Sequence, residues 1–296
     1  MWRPIGAAMS LGRPRQVVFF VCHPDDEALW VGGLVSGLGR FGVEVSVICA
    51  SGGGQGSVRA AEFQSAREVA GYKRGLVLGG PLRAANEPLP PLALTLEAGL
   101  TQLGIDPSEV ALLVTHSPYG DEHRHPHHKQ AYQELKQWAQ GSRVPFGFFS
   151  CMPLPWLQHQ PIAASLRRAH GLSLIGVFEC RPAVQSAAMI DGGGRTTSEE
   201  SPRYYFQFDI DVPAKARMLA RYPSIDLEKH ATGYVMFGAS FEALYVFDEK
   251  GAAVLFDLYR QMDHSGVDDL FAEICSRAAE PAPSGWWRRM LNLVRG

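Results

Sequence analysis

Apolar positions fall in two rhythms along the first half of the chain. QVVFFVC (16–22), VEVSVICA (43–50), GLVLGG (75–80), EVALLVTH (109–116) and PFGFFSC (145–151) are short, nearly continuous apolar runs. That is the pattern of strands buried on both faces of a parallel sheet. Between them, EALWVGGLVSGLGR (27–40), VRAAEFQSAREVAGY (58–72), a segment around 93–104 and one from about 126 to 140 read as helices. The first helix is apolar on most sides and carries four glycines, which predicts close packing on the sheet. Strand and helix in this alternation predict right-handed βαβ crossovers and an α/β fold of Rossmann-like, doubly wound type, a mainly parallel sheet flanked by helices.

The second half is less regular. RYYFQFDI (203–210) and EALYVFD (242–248) read as strands, VPAKARMLARY (212–222) as a helix, and DGGGRTTSEESP (191–202) as a loop that buries little. The organisation expected is one domain over 1–277, with a smaller C-terminal elaboration from about 152, a Pro-rich linker at 278–285, and a short helix at 286–296. On a helical wheel Trp286, Trp287, Met290, Leu291, Leu293 and Val294 share one side, and Arg288, Arg289, Asn292 and Arg295 the other. Such a basic amphipathic helix either packs on the domain or a partner chain, or lies on a membrane surface.

Composition narrows the classes. A 296-residue chain that is 46% hydrophobic and 20% charged can bury a sizeable core, and its net charge of -2 offers no general basic surface for nucleic acid. The five cysteines are scattered without a CxxC, so they read as thiols rather than as a disulfide framework. No apolar run reaches the roughly 18 residues of a membrane span. MWRPIGAAMSLGRPR at the start lacks the apolar centre of a secretory signal. A cytoplasmic protein is expected, with peripheral contact at the inner membrane surface only through the C-terminal helix. Nothing in the pattern fixes the oligomeric state.

The chemistry gathers where the fold would put it. In doubly wound sheets ligands bind at the carboxyl ends of the strands. HPDDE (23–27) follows the first strand, SGGGQGS (51–57) the second, and THSPYGDEHRHPHHKQ (115–130) the fourth. Three adjacent acids after a buried strand repel one another unless a cation sits among them. Five of the ten histidines lie between 116 and 128, and Pro126 suits the first turn of the helix that would carry His128. His23, Asp26 and His128 supply two imidazoles and one carboxylate. With an open position, that donor set is a catalytic metal site, zinc in the first instance or another divalent ion. Asp25, beside a ligand, is placed to take a proton from water. His116, His123, His159, His170, His230 and His264 are read as structural.

Weaker signals have two readings each. The glycine loop suggests a dinucleotide phosphate loop, but its spacing is imperfect and it follows the second strand, so room for substrate is the better account. Arg59 either holds a substrate hydroxyl or phosphate, or pairs with Glu62 or Glu68 on an exposed helix face. Trp30 is either core or a platform for a sugar ring.

Together, HPDDE after an apolar strand, the glycine loop followed by Arg59-x-x-Glu62, and the H-x-x-H of His125 and His128 resemble the LmbE/PIG-L family of zinc-dependent de-N-acetylases acting on N-acetylglucosaminyl substrates. VPAKARMLARYPS and FEALYVF resemble later family segments more weakly. The resemblance implies zinc on His23, Asp26 and His128, and Asp25 as general base. It also implies that His125 stabilises an oxyanion or protonates a leaving amine. Glu27 matches a motif carboxylate, grouped with Arg59 and Trp30 on the substrate side, although its spacing also suits capping of the next helix. The implied substrate is a small-molecule or lipid-linked N-acetyl sugar. The alternatives are an amidase on another acylated amine or a weakened, glycan-binding pseudoenzyme. One position departs from the family, which commonly carries H-P-D-H: here it is His127 that precedes His128. A histidine is no anionic partner, so the protonation of His125 is left open.

Overall fold

The computed structural model describes residues 16–40, 43–54, 56–80, 82–118, 120, 125–150, 212–225, 241–248, 250–251 and 253–254, and between 151 and 211 the strands named below. The linker 278–285, the helix 286–296, His123, His159, His170, His230 and His264 lie outside them.

The first half follows the hydrophobic pattern closely. Strands β1 (Gln16–Val21), β2 (Val45–Cys49), β3 (Arg74–Val77), β4 (Val110–Thr115) and β5 (Phe146–Ser150) alternate with helices α1 (Asp26–Arg40), α2 (Val58–Ala70), α3 (Leu92–Leu103) and α4 (Pro126–Ser142). Beyond them come β6 (Leu157–Gln158), β7 (Ser173–Glu179), β8 (Arg181–Pro182), β9 (Met189–Ile190), β10 (Thr196–Thr197), β11 (Tyr204–Asp209), α5 (Val212–Leu219) and β12 (Phe241–Val246). The main sheet runs β3-β2-β1-β4-β5-β12-β11-β7. It is parallel from β3 to β5 and antiparallel thereafter. The C-terminal elaboration thus continues the same sheet. Among the described residues, β6 with β8 and β9 with β10 make small sheets of their own.

Two apolar layers cover the sheet. Side chains of α1, α2 and α5 pack on one face with Val17, Phe19 and Val21 of β1. Side chains of α3 and α4 pack on the other with Val18 and Phe20. Successive β1 residues therefore feed opposite cores, which is why this strand carries no polar position from 17 to 21. Helix α1 packs on the sheet as expected, and two of its four glycines also serve contacts with other helices. A Cβ on Gly32 would stand 3.3 Å from Met218 Sδ of α5, and one on Gly39 3.1 Å from the Gly71 carbonyl oxygen.

The topology creates one crevice. The chain leaves β1 toward β2 on one side, while β4 pairs with β1 on the other. Loops after β1 and β4 therefore diverge at their carboxyl ends and leave space between them, the switch point at which such sheets bind ligands.

Candidate active site

The chain turns sharply after β1. Asp25 adopts φ 136°, and its carbonyl accepts the amides of Ala28 at 3.0 Å and Leu29 at 2.8 Å, starting α1. A non-glycine residue in that region costs about 1–3 kcal/mol and persists only where neighbours fix it. Two carboxylates do so. Asp26 Oδ2 accepts the His23 amide at 2.8 Å and the Cys22 amide at 3.2 Å, and Glu27 Oε2 accepts the Asp25 amide at 3.2 Å. Across the crevice, Pro126 opens α4, and His125 caps it by accepting the His127 amide on Nδ1 at 3.3 Å.

These two helix starts bring His23, Asp26 and His128 together. His23 Nδ1 stands 3.2 Å and His128 Nε2 3.3 Å from Asp26 Oδ2, and the two nitrogens are 3.4 Å apart. Donors held at about 2.0–2.1 Å around a tetrahedral centre stand roughly 3.3–3.4 Å from one another. The triangle thus fits a divalent cation of zinc's size, and two imidazoles with one carboxylate suit zinc's preferences. Cys22 with His116 and His128, and His23 with His125 and His127, form overlapping donor clusters. The His23, Asp26 and His128 set is distinguished by its position, since all three line a cavity of about 220 Å³ that Cys22, His116 and His127 do not line.

The electrostatics separate the adjacent acids. Burial alone would raise Asp26, but the facing imidazoles of His128, His23 and His116 prevail and hold its carboxyl well below the usual range. Asp25 goes the other way. Burial and the neighbouring Asp26 charge hold it well above that range, against the pull of Arg59, whose Nη1 donates to Asp25 Oδ2 at 2.8 Å. Neighbouring carboxyls pushed apart are the arrangement of a ligand beside a base. Burial, with His128 and His23 adding to it, takes His125 down to about 3. Its ring is neutral, and with Nδ1 accepting the His127 amide, Nε2 carries the proton.

Several expectations change. Glu27, grouped with the substrate side, is 0% exposed and does not line the cavity; one helix position on from Asp26, it turns inward and accepts a hydrogen bond from the Tyr222 hydroxyl. Arg59 does line the cavity, but pairs with Asp25 rather than with Glu62 or Glu68; Glu62 instead accepts the Ser224 amide at 2.9 Å. Trp30 is 4% exposed and forms cavity wall with Leu29, so core packing and a cavity-facing position coexist. None of the described glycine-loop residues lines the cavity. Gly52, at φ +90°, passes so close to the motif that a Cβ would meet Pro24 Cγ at 2.9 Å. Its role is backbone packing, not room for substrate.

His116 was read as a structural residue, and the structure sets it against the centre. It is 0% exposed, stacks on His128 with ring centroids 3.7 Å apart, and its Nε2 accepts the Cys22 amide at 3.2 Å and lies 3.4 Å from Asp26 Oδ2. Its place, one residue beyond β4 beside β1, was the available signal.

Burial of Glu27 has a consequence for stability. Desolvation takes its carboxyl from an ordinary 4.5 up to about 7, opposed by the Tyr222 hydrogen bond. Below pH 4.5 the group is protonated in folded and unfolded chains alike. Between 4.5 and 7 only the unfolded chain releases the proton, so this contribution is lost as pH rises. Glu27→Gln, which stays neutral, is expected to match the parent near pH 4 and to exceed it by roughly 3 kcal/mol at pH 8. Chemical denaturation of chelator-treated protein at the two pH values measures the difference; an equal offset at both would show that the charge is not what differs.

Comparison with known proteins adds a family signature. Residues 18–139 match the family described as PIG-L: GlcNAc-PI de-N-acetylase. A 1D-myo-inositol 2-acetamido-2-deoxy-alpha-D-glucopyranoside deacetylase of Corynebacterium urealyticum is 37% identical over 90 residues, covering 24% of this chain and 27% of that protein. The chain thus matches only about a quarter of that curated relative's length. Among solved structures, an antimicrobial-reagent pseudoaglycone deacetylase is 17% identical with a TM-score of 0.43, over 79% of this chain and 97% of the other. The N,N'-diacetylchitobiose deacetylase from Pyrococcus horikoshii is 15% identical with a TM-score of 0.43, over 82% and 88%.

Proposed function

Because residues 18–139 are a PIG-L family domain, we propose that the chain is a metal-dependent amide hydrolase. It removes the N-acetyl group from an amino sugar or glycoconjugate and releases acetate and a free amine. The observation that carries this reading is the triangle of His23, Asp26 and His128 on a cavity wall, with Asp25 beside it.

His23, Asp26 and His128 would hold the cation, zinc first. When bound there, a divalent cation polarises an amide carbonyl and makes water a better nucleophile near neutral pH. Asp25 takes the proton of the attacking water, a task suited to a carboxyl held above its usual range. Arg59 keeps that carboxyl aimed. The Nε2–H of His125, on the same cavity wall, donates a hydrogen bond to the oxygen on which negative charge develops. Cleavage of the C–N bond needs a proton on nitrogen, and Asp25, now protonated, returns it. Leu29, Trp30 and Leu82 give the sugar an apolar wall, with Arg83 and Gly120 beyond.

The test is metal content by elemental analysis on protein purified without added metal, beside Asp26→Ala and His128→Ala, followed by acetate release from a panel of N-acetyl sugars. About one divalent ion per chain, lost in both variants, is the result expected of a three-donor site. No metal in the parent, and none regained from zinc, would overturn the hydrolase reading. Metal without acetate release from any sugar would instead favour an amidase on another acylated amine, or a chain that binds glycans without cleaving them.

A further inference from the structure

His127 is buried, 1% exposed, and both its ring nitrogens have partners. Nε2 lies 2.7 Å from the Glu87 carbonyl oxygen, and Nδ1 lies 2.8 Å from His23 Nε2. A carbonyl only accepts, so Nε2 of His127 carries a proton. The ring sits among the imidazoles of His23 and His125, with centroids 5.1 Å and 4.8 Å away, a setting that disfavours a second proton. Its Nδ1 is then an acceptor, and His23 Nε2 must donate to it. The single proton of a neutral His23 is thereby spoken for. Its Nδ1 is left with a free lone pair, facing Asp26 Oδ2 and His128 Nε2.

The alternative tautomer has a clear driving force. Asp26 Oδ2 is 3.2 Å from His23 Nδ1, so without an acceptor at Nε2 the carboxylate would draw the ring proton onto Nδ1. A nitrogen that carries a proton binds no cation. The Glu87 end of the chain is itself anchored. The Leu89 amide donates to Gln130 Oε1 at 3.1 Å, Gln130 Nε2 donates to the Leu89 carbonyl at 3.1 Å, and Glu134 accepts the Leu92 amide. The connection between β3 and α3 is tied to α4 through these bonds, and its Glu87 carbonyl is presented to a ring on that same helix.

We propose that His127 is a positioning residue of the metal centre. Through the series Glu87 carbonyl, His127 ring, His23 ring, it holds the His23 proton on Nε2 and keeps Nδ1 as the donor nitrogen. The proposal rests on the metal-centre reading above and extends it to a residue that does not face the cavity.

Two variants of one size separate this role from packing. His127→Asn puts Oδ1 where Nδ1 stood and keeps the acceptor; His127→Leu keeps the branching and removes it. Zinc affinity, read by chelator competition, is expected to fall about 10–100-fold in His127→Leu and to stay within about threefold of the parent in His127→Asn. Imidazole nitrogen resonances of the metal-free chain give a second readout. An Nε2–H signal of His23 is expected in the parent and in His127→Asn, with the proton moved to Nδ1 in His127→Leu. Equal losses in both variants, or none in His127→Leu, would overturn the proposal. Two zinc ions in the parent, one of them lost with His127, would overturn it too, making the residue a ligand of a second ion. A parent that binds no zinc sinks the metal centre, and the nitrogen resonances still decide which atom of His23 holds the proton.

Discussion

Asp25→Asn is expected to lower kcat by about 10²–10⁴-fold while the protein keeps its metal. The reasoning is geometric first. Asp25 lines the cavity beside the three donors, yet none of the distances that define the triangle involves it. The amide substitution preserves size and the acceptor that Arg59 Nη1 reaches at 2.8 Å. What it removes is the ability to take a proton and return it. Both halves of the reaction lose that transfer at once, so the loss falls on kcat more than on KM. Steady-state rates and elemental analysis on the same preparation measure the outcome. Metal lost together with activity would make Asp25 a ligand. Near-normal turnover would assign proton transfer to another group.

The elements were legible because the strands are doubly buried: β1, β2 and β4 have no exposed residue, so the apolar run and the strand nearly coincide. HPDDE and H-x-x-H were legible for a different reason. Each sits in a single turn, where spacing along the chain nearly equals spacing in space. Contacts across the chain carried no such sign. His116 ends an apolar run like many structural histidines, and its stacking on His128 depends on the end of β4 meeting the first turn of α4. Glu27 and Asp26 differ in sequence by one methylene and in structure by about 100° of helix rotation. That rotation sends one to the cavity and the other to Tyr222, far along the chain. The glycine loop misled because glycine serves close backbone passage and open space alike. His127 appeared only as a missing carboxylate; its bond to the Glu87 carbonyl needed the path of the connection after β3.

Glu242 was the least legible of all. It is the one charged residue of FEALYVF, and it is 0% exposed. The reason lies in α1, which breaks at Val31 (φ −139°, ψ 15°) and so frees amides that a continuous helix would bond internally. Glu242 caps the restarted helix. Its Oε2 accepts the Leu34 amide at 2.7 Å, and its Oε1 accepts the Gly33 amide at 3.3 Å and the Lys215 ammonium at 2.7 Å. One carboxylate thus joins β12, α5 and the second half of α1. Glu242→Ala is expected to destabilise the fold by about 3–5 kcal/mol, because it strands a buried cation and uncaps a helix together. The double variant Lys215→Met, Glu242→Gln removes both charges and keeps an acceptor for Leu34, and should recover a large part of that loss. Denaturant midpoints of the parent, the single and the double variant decide it. If the double variant, which keeps the cap, is no better than Glu242→Ala, the ion pair and not the cap holds these elements together. If Glu242→Ala costs under about 1 kcal/mol, water reaches Lys215 and the pair is not a buried one. The kink follows directly on the first turn of α1, the turn that carries Asp26. A lasting loss of metal affinity in Glu242→Ala at temperatures where it stays folded would tie the buried pair to the centre itself.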